Sequence, residues 1–148
     1  MIFSALAAAI IAALTPNPLP TPQSLPIIAL HAPKATLHVQ VARTEPQRER
    51  GLMSVRHLTA HTGMLFIFDS DTPVAFWMKD TLIPLDMVFI SQQGVVRKVF
   101  ARVAVVSPQL PDAQIPLEQG AAKFVIELPS GEAALDGLQP GTRVEGLP

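Results

Sequence analysis

The chain has 148 residues, a formal net charge of −1, 49% apolar residues and no cysteine. A single domain's length, the lack of a basic run and the lack of thiols exclude a clustered phosphate-binding face for nucleic acid, disulfides, thiolate zinc sites, iron–sulfur clusters and a cysteine nucleophile. The averages conceal a boundary, because no Asp, Glu, Lys or Arg precedes Lys34, while six of the 15 prolines and none of the 8 glycines do.

Ile2 to Leu14 is an apolar run with Ser4 as its one polar side chain. As a helix it would span about 20 Å, short of the roughly 30 Å hydrocarbon core, so it reads as the hydrophobic region of a secretory signal peptide over residues 1–15. It has no Lys or Arg at its start and no Ala-x-Ala triplet after it, and the competing readings are a membrane-tethering or a buried core helix. Pro16, Pro18, Pro20, Pro22 and Pro26 hold the next stretch extended and separate it from any core, which argues against the buried helix. The expected organisation is this leader, a proline-rich spacer over 16–33, and one domain over 34–148 without a transmembrane helix. Export to the periplasm or cell envelope follows as the expected location.

Within the domain, alternation predicts a strand over Ala35–Ala42. Thr44-Glu45-Pro46-Gln47 then carries an N-cap, a first-turn proline and a capping-box glutamine, so a short helix is expected up to Gly51. Ser54 to Gly63, with His57 and His61, reads as a loop. Short strands are expected over Met64–Phe68, Val74–Lys79 and Asp86–Ile90, the first two separated by a turn at Asp69-Ser70-Asp71-Thr72-Pro73. Ser91–Gly94 reads as a hairpin turn into Val95–Phe100, followed by Val103–Val106 and a proline-punctuated loop. Phe124–Leu128 reads as a strand, Ser130–Asp136 as a short capped helix ending at Gly137, and Gly141–Glu145 as a closing strand. Seven to eight strands with one or two short helices predict a mainly β, single-domain sandwich or barrel-like fold.

Four segments carry a resemblance: Arg50-Gly51-Leu52-Met53, Gly63 to Phe68, Phe76-Trp77-Met78-Lys79, and Ile83 to Ile90. Together with Phe124 to Gly131 and Gly137 to Val144, they resemble domain-of-unknown-function family 192, an uncharacterised ancient conserved region, over roughly residues 36–145. The chain has Val55 where that resemblance leads one to expect Arg, and Asp80 where it leads one to expect Asn. The resemblance implies a β-rich fold and no established activity.

Asp86 shares a strand face with Val88 and Ile90, so its carboxylate requires a partner, either Lys79, Arg50, Arg56 or backbone donors. It reads as a general acid or base, or as a structural ion pair or capping carboxylate. Trp77 and Lys79 fall on one strand face and form a platform for an anionic or sugar-like ligand if that face is open, or part of the core if it is covered. Met53, Met64, Met78 and Met87, with His57 and His61, admit a Cu(I) site, although methionine at strand positions is common core filler. His57 and His61 have no carboxylate at ligand spacing in the sequence, and no nucleophile elbow, phosphate loop or zinc-protease motif occurs. No cofactor or metal is therefore expected. The leading expectation is an exported, non-enzymatic domain whose residues Arg50, Trp77, Lys79 and Asp86 bind a small ligand or an envelope partner. The alternatives are an enzyme using Asp86 with Lys79 or Arg50, and the Cu(I) binder.

Overall fold

The computed structural model describes residues 17–148, and the signal-peptide reading of residues 1–15 lies outside them. Six strands form one open, mixed sheet in the order β1-β2-β3-β6-β4-β5. They are β1 (Ile27–His31), β2 (Thr36–Ala42), β3 (Thr62–Phe76), β4 (Leu85–Ile90), β5 (Val96–Val103) and β6 (Glu118–Pro129), accompanied by helices α1 (Glu45–Arg50) and α2 (Glu132–Leu135) and a 3₁₀ turn at Asp112–Gln114. The mainly β expectation holds; the architecture is a six-stranded open sheet with two short helices, in place of seven or eight strands. Among the described residues no helix is long and apolar enough to cross a membrane.

Four differences account for the strand count. The expected turn at Asp69–Pro73 lies inside a single 15-residue β3, whose pairing with β6 shifts register between Ile67 and Thr72. A bulge absorbs the polar run without reversing the chain. Val96–Val103 is likewise one strand where two were expected, and Gly141–Glu145 makes isolated bridges at Arg143 and Glu145. Those bridges pair Val95 with Arg143 and His31 with Glu145, so the C-terminal tail is hydrogen-bonded beside both edge strands. Finally, β1 comes from the stretch expected to be a spacer, and Gln23 donates to the carbonyls of Gln47 and Gly51 at 2.8 and 2.9 Å. The proline-rich segment is thus docked against α1.

β2 and β3 are parallel neighbours, which obliges residues 43–61 to cross back over the sheet. α1 begins that crossing with the predicted capping box between Thr44 and Gln47, and Gly51, at φ 44°, ends it by donating to Gln47 O. Each face of the sheet carries its own core. One contains Leu37, Leu65, Val88, Ile126 and Leu128 with Ala133 and Leu138 from around α2. The other contains Met64, Phe66, Phe76, Met87, Phe89 and Val125, covered by Leu52, Val55 and Leu58 from the crossing segment. Every residue of β4 is buried because alternate side chains serve the two cores.

Candidate functional site

α1 and the end of β3 frame a pocket of about 310 Å³ on the second face. Its aromatic wall is held by edge-to-face stacking, with Phe66 and Phe76 at 4.9 Å between ring centroids and Phe68 and Phe76 at 6.3 Å. Arg48, Arg50 and Lys79 stand around the opening together with Glu45 and Glu49. Arg48 lies 5.0 Å over the Phe68 ring and donates to Ile67 O at 2.9 Å, so its guanidinium braces the wall. Arg50, at the exposed end of α1, donates to Thr21 O. Lys79 sits 5.2 Å over the Trp77 ring and pairs with Asp112 at 2.5 Å, and Asp112, the nearer carboxylate, raises its pKa through hydrogen bonding and charge. Asp80 follows at φ 51°, a left-handed conformation that Asp and Asn both tolerate, which accounts for the interchange expected there.

Of the predicted site residues, Arg50, Trp77 and Lys79 line this pocket and Asp86 does not. Asp86 is completely buried on the opposite face, where it accepts from the backbone N–H groups of Arg102 at 2.7 Å, Gly131 at 3.0 Å and Ala133 at 2.8 Å. Its partners are the backbone donors among the alternatives. It ties β5 to the start of α2, and Arg102 takes a left-handed φ of 54° at the same point. As an acid or base beside Lys79 or Arg50, Asp86 is therefore misplaced: the sheet lies between them. Met64, Met78 and Met87 are packed into the aromatic core, where they fill gaps between rings, and are not presented to solvent as a thioether cluster.

Glu127 lies at the floor of the pocket, and sequence reasoning passed over it. On β6 it stands between Met64 of β3 and Met87 of β4. Burial among these apolar side chains pushes its carboxyl up to about 8, so it is a neutral hydrogen-bond donor at pH 7. The signal was present as one charge inside the otherwise apolar run Phe124-Val125-Ile126-Glu127-Leu128. Behind it, Gly63 is a positional requirement, because a Cβ there would stand 1.9 Å from Glu127 O.

The family model for an uncharacterised ancient conserved region, DUF192, matches residues 28–146. The chain belongs to DUF192. A DUF192-like fold recurs in a crystal structure from Sinorhizobium meliloti described as that of a candidate transcription regulator, 31% identical, with a TM-score of 0.74 over 84% of this chain and 97% of that one. A protein of unknown function from Novosphingobium aromaticivorans is 26% identical, with a TM-score of 0.72 over 82% of this chain and 86% of that one. Among curated proteins no match is found. The DUF192 match begins inside β1, so the family unit takes in the strand that composition alone had left with the spacer.

Proposed function

We propose that this DUF192 domain is an exported receptor, in the periplasm or cell envelope, for a small ring-bearing organic anion. The observation that carries the reading is the pocket itself: an aromatic wall, a cationic opening at Arg50 and Lys79, and a buried neutral carboxyl at its floor. A ring packs against Trp77, an anionic group meets Arg50 and takes the place of Asp112 at Lys79, and a polar substituent accepts a hydrogen bond from Glu127. The regulator name attached to the Sinorhizobium structure does not extend to a nucleic-acid role here. The net charge is −1, and Lys79 and Arg97 are paired with Asp112 and Asp71.

Ligand-observed NMR with a panel of aromatic and sugar carboxylates tests the proposal. A binder should shift the Trp77 indole resonance, weaken at least about tenfold in Trp77→Ala, and weaken again as pH rises through about 8, where Glu127 loses the proton it donates. A panel in which nothing moves the indole resonance overturns it.

The raised ionisation of Glu127 also favours a second reading, an enzyme with Glu127 as general acid. Turnover of the bound ligand by the native chain and its loss in Glu127→Gln would distinguish catalysis from binding alone.

A further inference from the structure

On the opposite face, three side chains converge that the pocket does not use. His61 Nδ1 lies 2.8 Å from Asp136 Oδ1 and 2.9 Å from Glu132 Oε1. Glu132 and Asp136, four positions apart across α2, are both buried, whereas the His61 side chain is 47% exposed. The backbone holds the group in place, with His61 N–H donating to Glu132 Oε1 at 3.0 Å and His61 O accepting from His38 of β2.

The arrangement is not satisfied as an ion pair. The imidazole Nδ1 carries at most one proton for two carboxylates, and Glu132 already receives the His61 backbone N–H. Asp136 is 1% exposed and neither of its oxygens is satisfied by a hydrogen bond; His61 Nδ1, 2.8 Å away, is the cationic group that approaches it. Among the described residues, no Lys or Arg pairs with either acid. Two carboxyl groups buried beside one imidazole, with neither Asp136 oxygen hydrogen-bonded, make an acceptor-rich cluster of the kind a divalent cation fills.

We propose that His61, Glu132 and Asp136 form a binding site for a divalent transition-metal ion. Their candidate ligand atoms all lie within 4.8 Å of one another. One imidazole nitrogen and two carboxylate oxygens suit Zn²⁺ or Mn²⁺ and supply three protein ligands, with water completing the shell on the exposed His61 side. Tetrahedral ligation at about 2.1 Å separates ligand atoms by about 3.4 Å, so the exposed His61 ring would draw back from each carboxylate by roughly half an ångström. His61 was legible as half of a weak histidine pair with His57. The pair was misleading, because the true partners of His61 arrive from α2, 71 positions along the chain for Glu132.

The test is calorimetric titration of the untagged full-length chain with Zn²⁺ alone, accompanied by NMR of the histidine rings. One ion should bind per chain and shift the His61 ring resonances. His61→Ala and Asp136→Asn should each weaken binding at least tenfold, and His57→Ala should leave it unchanged. If Asp136→Asn does not fold, His61→Ala, at an exposed side chain, decides the matter. An absence of heat and of His61 shifts at millimolar Zn²⁺, or affinity that survives His61→Ala, overturns the proposal and leaves the cluster as a histidine ion pair.

Discussion

Replacing Glu127 by Gln removes one ionisation and keeps the side chain's size, so its effect on stability should depend on pH in a defined direction. The unfolded carboxyl ionises near 4.5 and the folded one near 8, because burial disfavours its charge. Below the lower value both states hold the proton and the group is indifferent to pH. Between the two, the folded chain keeps a proton that the unfolded chain releases, so stability falls as pH rises. At about 1.4 kcal/mol per pH step, the accumulated loss is about 3 kcal/mol at pH 7 and about 5 kcal/mol by pH 8. Glu127→Gln lacks this loss. The variant should therefore gain on the native chain steadily from about pH 5 to about pH 8, whatever constant cost its amide brings. Urea unfolding of both proteins across that range measures the difference. A difference that stays flat with pH would refute the argument, since it would mean that the Glu127 carboxyl ionises alike in both states.

Two further outcomes concern the framework. Asp86→Ala strands the buried N–H groups of Arg102, Gly131 and Ala133, and should cost at least about 3 kcal/mol in urea unfolding, with faster amide exchange at Gly131 and Ala133 as its local signature. Gly63→Ala forces a methyl against Glu127 O and should destabilise the chain by more than about 3 kcal/mol, read as a lowered thermal midpoint.

Local signals were read well where the physics is local. The capping box at Thr44 and Gln47, the stop at Gly51 and the alternation of β2 are each determined by neighbours within a few residues. The bulged middle of β3 was read as a turn because its polar, proline-bearing composition matches one. Only its pairing with β6 keeps it extended. β1 was hidden by the prolines before it, and its place in the sheet depends on β2. In the pocket, Arg50, Trp77 and Lys79 were legible from chemistry and spacing. Asp86 was placed on the correct strand face, with Val88 and Ile90, but which face the pocket occupies is decided by the crossing of residues 43–61, a tertiary fact. Glu127 escaped notice because its oddity is its burial, and burial is not written in the residue.

The tail that reaches both rims of the sheet also bears on how quickly the molecule forms. Its Glu145 pairs with His31, from near the other end of the described chain, and the central β3 must wait for β6. Few of these pairings close short loops, so most of the chain's freedom is surrendered before the contacts that compensate for it exist. Folding on the millisecond-to-second scale is the consequence, and throughout that interval the apolar strands β4 and β6 stand open to association with other chains.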